Sequence, residues 1–173
     1  MPNRNIELKA RCADLRGAAR AALGIGATRV GELRQVDTYF RFAHGRLKLR
    51  ETDGVGTGGA ELIAYERADD PAFRSSDYYV IPVSHPADMK AALSKKLGVR
   101  GEVRKRRELF LWHNVRIHLD DVADLGTFIE FEAVITPADA EPASRDRLAR
   151  LSEALSIRDE DRIAVSYSDL LGL

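Results

Sequence analysis

The chain has a single cysteine, Cys12, among its 173 residues. No disulfide can form within it, and a structural zinc site built from two or more of its own thiolates is excluded. It also has no excess of charge of either sign, with 27 Lys plus Arg against 27 Asp plus Glu. Composition therefore points to neither a nucleic-acid nor a membrane partner. No stretch approaches the roughly 18 apolar residues of a membrane span. Charges recur from Arg4 onward, so no signal-peptide core is expected and a reducing, cytoplasmic setting follows as the expectation. The glycine-rich run "DGVGTGGA" (53–60) lacks the Gly-Lys-Ser/Thr of a phosphate-binding loop and does not lead into a helix. It reads as a connection between strands.

What is present is a repeated alternation of charged and apolar residues. In "NIELKAR", Ile6, Leu8 and Ala10 fall on one side and Glu7, Lys9 and Arg11 on the other, the period of a half-buried strand. The same period continues in "RQVDTYFRF", "GRLKLRET", "ELIAYER", "SDYYVIPV", "EVRKRRELFLWH", "VRIHLDDV" and "GTFIEFEAVI". Between these, "ADLRGAARAALG" has helical spacing, with Asp14 as its cap and Gly24 as its stop. "HPADMKAALSKKLG" and "RDRLARLSEALSI" read as two more helices, and "YSDLLGL" as a last helical turn. Short turns between neighbouring strands favour antiparallel pairing over βαβ units. The expectation is one domain over residues 1–173, with its core at 5–135 and C-terminal helices at 144–171.

The charges on these strands are sorted by sign. Arg46, Lys48 and Arg50 share a face, as do Lys105 and Arg107, whereas Glu130 and Glu132 share another. Arg116, His118 and Asp120 oppose Val115, Ile117 and Leu119. A solvated outer face accounts for any one such row. Five rows with segregated signs suit a sheet closed on itself, with cations on some walls of the interior and carboxylates on others. Buried charges of that kind need pairing, hydration or a ligand. A polyphosphate with a divalent metal matches both sets, because Lys and Arg neutralise phosphate oxygens while carboxylates hold Mg²⁺ or Mn²⁺.

The order "NIELKAR … QVDTYF … GRLKLRE … ELIAYER … VRKRRELF … VRIHLDDVADLGTFIEFE" closely resembles the CYTH domain, the superfamily of class IV adenylate cyclases and thiamine triphosphatases, also called triphosphate tunnel metalloenzymes. The match runs from Asn5 to about Ile135. The resemblance implies an α+β fold, an eight-stranded antiparallel β-barrel forming a tunnel and flanked by helices. It implies a triphosphate-containing small molecule bound with Mg²⁺ or Mn²⁺. The family's Glu-x-Glu-x-Lys hallmark maps its second Glu and its Lys onto Glu7 and Lys9, while its first position is Asn5. Glu7, Glu130 and Glu132 are thereby the expected metal ligands. Lys9, Lys48, Arg50, Arg67, Lys105, Arg107 and Arg116 are the expected phosphate-binding residues, with Lys9, Arg107 and Asp120 in catalysis. Arg67 stands near the position where many members carry a lysine. The resemblance leaves a homodimer open, since related cyclases often pair.

Three activities fit these residues: cyclisation of ATP to cyclic AMP and pyrophosphate, hydrolysis of an inorganic, thiamine or nucleoside triphosphate, and binding of a polyphosphate or organic phosphate without turnover. Other residues read as structural. His118 is expected to be a hydrogen-bonded structural histidine, and Tyr39, Phe40, Phe110 and Trp112 to be packing residues. Cys12 is expected to be inert.

Overall fold

The computed structural model describes residues 3–54, 56, 58–67, 74–137 and 139–173, with the side chains of Asn3, Glu66, Arg67 and residues 74–77 excepted. Eight strands form a closed barrel: β1 (Asn3–Arg11), β2 (Thr28–Phe40), β3 (Arg46–Gly54), β4 (Gly59–Arg67), β5 (Arg74–Pro82), β6 (Val99–Trp112), β7 (Val115–Val122) and β8 (Gly126–Val134). Their order is β1-β5-β4-β3-β2-β6-β7-β8, and β8 returns to pair with β1, so no edge remains. Every pairing is antiparallel.

The alternation in β1 is explained by a strand buried on both faces. Ile6, Leu8 and Ala10 point outward into an apolar layer, while Asn5, Glu7 and Lys9 point into the barrel and are also buried. The outer layer is made by α1 (Leu15–Gly24) and α3 (Glu141–Ala154), which cover β1, β7 and β8. Ala18, Ala22, Leu148 and Leu151 meet Ile117, Leu119 and Phe131 there. Leu148 and Leu151 are fully buried, each worth about 2 kcal/mol in apolar area removed from water. Asp14 caps α1 by accepting from the Gly17 amide, as its sequence position predicts. A second outer layer forms where Met89, Leu93 and Leu97 of α2 (Pro86–Leu97) lie on Phe40, Leu47 and Leu49.

The C-terminal segment closes one end of the barrel. After α3, a short 3₁₀ turn (Asp159–Asp161) leads to α4 (Tyr167–Leu170), started by a reciprocal capping box between Ser166 and Asp169. Tyr167 packs with Tyr39, Val103, Val122 and Phe128, and Leu173 presses on Gly101. A Cβ at Gly101 would crowd the Leu173 side chain and force it to shift. Asp169 also pairs with Arg46 at 2.8 Å, at the start of β3. The connection at 53–60 lies at the opposite end of β3, where Gly54 pairs with Leu33.

Element bounds differ from the sequence expectation in two places. The second strand begins at Thr28 rather than at Arg34, because its first residues are exposed and are held by pairing with Phe110 and Leu111 of β6 instead of by burial of their own. The helix α3 begins at Glu141 rather than Arg145, since Pro142 fits the first turn, where no amide partner is needed. Among the described residues, no helix is long and apolar enough to cross a membrane.

Candidate active site: a charged tunnel

The barrel interior holds a cavity of about 380 Å³, a volume within the range of small-molecule sites. Among the described residues, six cations line it: Lys9, Lys48, Arg50, Lys105, Arg107 and Arg116. Antiparallel register places the acidic rows beside them. Lys9 is the cross-strand partner of Glu130, and Glu7 that of Glu132. The Lys9 ammonium lies 3.7 Å from Glu130. The structure thus brings together Glu7, Lys9, Lys48, Arg50, Lys105, Arg107, Arg116, Glu130 and Glu132, all expected from sequence. Arg67 belongs to β4, but its side chain lies outside the described residues.

Deep in the tunnel, Arg107 is held by a fork of hydrogen bonds, 2.7 and 2.6 Å, to the Asp120 carboxylate. Burial would raise the Asp120 carboxyl, but the Arg107 guanidinium outweighs it and holds it down to about 2. Asp120 is fully buried and faces Arg107 and the Tyr167 hydroxyl, and its two bonds fix the orientation of the Arg107 guanidinium. Glu130 lies within 3.5 Å of the same guanidinium. Its carboxyl, too, is held well below the usual range; burial opposes this, and Lys9 and then Arg107 overcome it.

A second cluster forms across β2 and β3, and sequence reasoning missed its centre. Asp37 accepts from Lys48 at 2.9 Å and from Arg50 at 2.7 Å through both guanidinium nitrogens. Burial pushes the Asp37 carboxyl up, yet Arg50 and Lys48 bring it well below the ordinary value. The hairpin register could have identified it, because Asp37 is the direct partner of Arg50.

Lys105 is different. It is buried at 7% exposure, and among the described residues no carboxylate stands within ion-pair distance of its ammonium. Burial, reinforced by the nearby Arg107 charge, lowers its pKa well below that of a free lysine. The more distant Asp120 and Asp37 carboxylates partly offset this, and the Tyr167 ring lies 5.2 Å from Lys105 and 3.8 Å from Lys9. Tyr167 and Ser166, from the C-terminal segment, thus help line the tunnel more than thirty residues beyond the last strand. Their sequence signal was limited to the Ser-x-x-Asp cap, which marks a helix start and not its docking site.

Other expectations resolve as follows. His118 is buried beside the acidic row, but its Nδ1 has no hydrogen-bond partner among the described residues and its Nε2 is 4.0 Å from Glu132. Burial, then the Arg107 charge, push its pKa down to about 3, so the ring is neutral. Tyr39 both packs at the closed end and faces the cavity, while Phe40 lies under α2. Phe110 and Trp112 are core residues under α1 and α3. Burial raises the Cys12 thiol, in keeping with an unreactive cysteine.

The family model for the CYTH domain matches residues 3–167. The chain belongs to the CYTH domain family. Among CYTH relatives, it is 26% identical over 143 residues to a Methanocaldococcus jannaschii protein provisionally named an adenylate cyclase, a match spanning 80% of this chain and 77% of that one. Its fold superposes on that of a Pyrococcus horikoshii protein with a TM-score of 0.82 at 25% identity, covering 96% of this chain and 98% of the other. It also superposes on a Hippeastrum protein with a TM-score of 0.62 at 14% identity, covering 98% and 93%. That protein is described as a provisional adenylyl cyclase with a dominant triphosphatase activity.

CYTH triphosphate tunnel enzymes generally depend on divalent metal. Asn5, at the position before Glu7 on the same face, donates through Nδ2 to Glu132. Its Oδ1 is buried without a hydrogen-bond partner among the described residues, an oxygen that a cation would satisfy. Together with Glu7, Glu130 and Glu132 this is an all-oxygen set, the kind that Mg²⁺ and Mn²⁺ take. Among the described residues no three acidic, His or Cys side chains are already gathered into a metal cluster. Glu130 is engaged by Lys9 and Arg107, and Glu132 by Arg116 at 3.3 Å. The residues fit the metal in donor type and in the orphaned Asn5 oxygen.

Proposed function

We propose that the tunnel binds a triphosphate-containing substrate with Mg²⁺ or Mn²⁺ and breaks one of its phosphoanhydride bonds, as a class IV adenylate cyclase does. The observation that carries this reading is Lys105: a buried ammonium on the cavity wall, beside Arg107 and without an ion-paired carboxylate among the described residues. Asp120 and Asp37 offset its charge only from beyond ion-pair distance, and a phosphate group would supply a direct partner. Lys9, Lys48, Arg50 and Arg107 surround the same space and would bind the remaining phosphate oxygens.

Glu7, Glu130 and Glu132, with the Asn5 amide oxygen, would hold the divalent ion. Bound there, the ion would supply charge neutralisation at phosphate oxygens. In the cyclase reading, the ribose 3′-oxygen forms a bond to the α-phosphorus as the bond from that phosphorus to the bridging oxygen breaks. Pyrophosphate leaves with that electron pair, and the hydroxyl proton passes to water at the open mouth. The cations of β1, β3 and β6 stabilise the charge gathering on the leaving pyrophosphate. Asp120 keeps Arg107 oriented for this by its two hydrogen bonds. The name of the Methanocaldococcus relative supports this reading.

A second reading, hydrolysis with water attacking the terminal phosphorus, uses the same residues. Its support is the open mouth, where Arg116 is 45% exposed and water has direct access. Incubating the purified protein with Mn²⁺ and ATP, inorganic triphosphate or thiamine triphosphate separates the readings. Cyclic AMP with pyrophosphate is expected. Orthophosphate release alone would favour hydrolysis, and tight binding without product would make the chain a phosphate-binding module.

A further inference from the structure

His118 is 4% exposed, and nothing in the site described so far uses it. Among the described residues its Nδ1 has no hydrogen-bond partner, and its Nε2 stands 4.0 Å from Glu132 Oε2, beyond hydrogen-bond reach. Buried polar groups normally have partners, so a ring left this way needs a reason. The alternation of β7 puts His118 on the same side as Arg116 and Asp120. Register then sets its neighbours. On the β6 side its direct partner is Leu109, whose side chain has no polar atom. On the β8 side it is Glu130, with Glu132 on the diagonal.

The two acids differ in how firmly they are held. Glu130 meets the Lys9 ammonium at 3.7 Å and the Arg107 guanidinium at 3.5 Å, and both cations are buried. Glu132 receives Asn5 Nδ2 on Oε1, while its Oε2 faces Arg116 at 3.3 Å, a side chain 45% exposed at the mouth. An ion pair in contact with water is weak, and in the triphosphate reading Arg116 is drawn to phosphate as well. Oε2 then loses its donor. A carboxylate that holds a metal ion keeps its aim through hydrogen bonds from the groups around it. His118 approaches that same oxygen, and a shift of about 1 Å brings Nε2 to an ordinary hydrogen-bond distance. With an acid on the Nε2 side and no partner at Nδ1, the hydrogen of the neutral ring belongs on Nε2.

We infer that His118 is a positioning residue for Glu132, donating from Nε2 to its carboxylate when Arg116 turns to phosphate and so keeping that acid aimed at the divalent ion. This rests on the triphosphate reading given above. His118 itself touches neither phosphate nor ion, and it acts through Glu132. Its missing partners are thereby explained: the hydrogen bond it is built for forms in the loaded tunnel. Glu130 needs no such support, because Lys9 and Arg107 already hold it.

Calorimetric titration of tripolyphosphate with and without Mn²⁺ tests this, the ratio of the two affinities giving the ion's contribution. In His118→Leu that ratio should fall about tenfold, the usual effect of removing a hydrogen-bond partner from a metal-holding group. Affinity without Mn²⁺ should stay within about twofold of wild type, since that measurement involves no ion. His118→Gln puts an amide nitrogen near the place of Nε2 and should restore most of the ratio. His118→Asn puts one near Nδ1 and should not, and this pair carries the comparison if the leucine variant does not fold. A ratio unchanged in His118→Leu, or equal losses in the glutamine and asparagine variants, would overturn the role of His118 while leaving the triphosphate reading intact. A directly bonded nitrogen in the Mn²⁺ paramagnetic resonance spectrum would overturn it too, by making His118 a ligand. A wild-type protein that binds no tripolyphosphate, or binds it equally with and without Mn²⁺, would overturn the reading on which the inference rests.

Discussion

The Tyr167 hydroxyl donates a 2.8 Å hydrogen bond to the Asp120 carboxylate, which in turn holds the Arg107 guanidinium by two bonds of 2.7 and 2.6 Å. The last helix of the chain is thus joined to a cation deep in the tunnel, while the same tyrosine ring lies beneath Lys9 and Lys105. Tyr167→Phe removes only the hydrogen bond. It should cost about 1–2 kcal/mol of stability, the penalty of a buried acceptor left short of a donor, with tripolyphosphate affinity near wild type. Tyr167→Leu also removes the ring and should weaken tripolyphosphate binding by a further factor of about three to ten, since a cation–π contact is worth roughly 0.5–2 kcal/mol. Thermal unfolding and calorimetry on both variants separate the two contributions.

Lys105 sets stability against binding. Its buried ammonium has no ion-paired carboxylate among the described residues and stands near Arg107, so a methionine of similar shape should relieve the protein of a desolvated charge that Asp120 and Asp37 offset only from a distance. Lys105→Met is expected to raise the unfolding midpoint by the equivalent of about 1 kcal/mol or more. The same change should weaken tripolyphosphate binding by about tenfold or more, the loss of one charge-assisted contact. A variant that is less stable yet binds as well as wild type would show that Lys105 does not face phosphate.

Acid should weaken the fold through the carboxylates that the cations hold ionised. The Asp120 pKa is about 2 in the folded protein against an ordinary 3.8. Between these values the unfolded chain binds a proton that the folded chain does not, so stability rises with pH across the window. The contribution is fully present above about pH 4 and is lost as pH falls through 2, amounting to about 2 kcal/mol. Asp37, also held low by Arg50 and Lys48, adds to the loss in the same direction. Urea unfolding from pH 6 to pH 2 should show the decline, and Asp120→Asn should be less stable at pH 6 with a shallower decline below pH 4.

Much of this site was legible because the strands are short-range patterns. In β1 and β3 the alternation alone sorts Glu7, Lys9, Lys48 and Arg50 onto one face, and closure of the barrel turns that face inward. The charged rows could be seen because each residue's neighbours two places away carry the same kind of side chain. Asp37 sits in "QVDTYF" with no second acid at that spacing, so its role appears only when β2 is paired with β3. Tyr167 is separated from the strands by α3 and a turn, and its contact with Asp120 depends on how the C-terminal segment docks.

Asn5 stands where the family hallmark has its first glutamate, and its amide nitrogen donates to Glu132. Asn5→Glu replaces that donor by a carboxylate facing another. Without metal, the two acids repel and the variant should unfold at a lower temperature than wild type. With Mn²⁺ the extra charge should tighten ion binding by about tenfold. Titration of Mn²⁺ followed by its paramagnetic resonance signal reads the affinity directly.

The account's central claim is that carboxylates for a divalent ion and cations for a triphosphate act together in one tunnel. Tripolyphosphate titrated calorimetrically into wild-type protein and Glu130→Gln, each with and without Mn²⁺, tests it most directly. Mn²⁺ should tighten tripolyphosphate binding by about tenfold or more in the wild-type protein, because the ion bridges the acidic row to the phosphates. In Glu130→Gln that enhancement should largely vanish. An enhancement that survives the substitution unchanged, or one absent from the wild-type protein, would contradict the account.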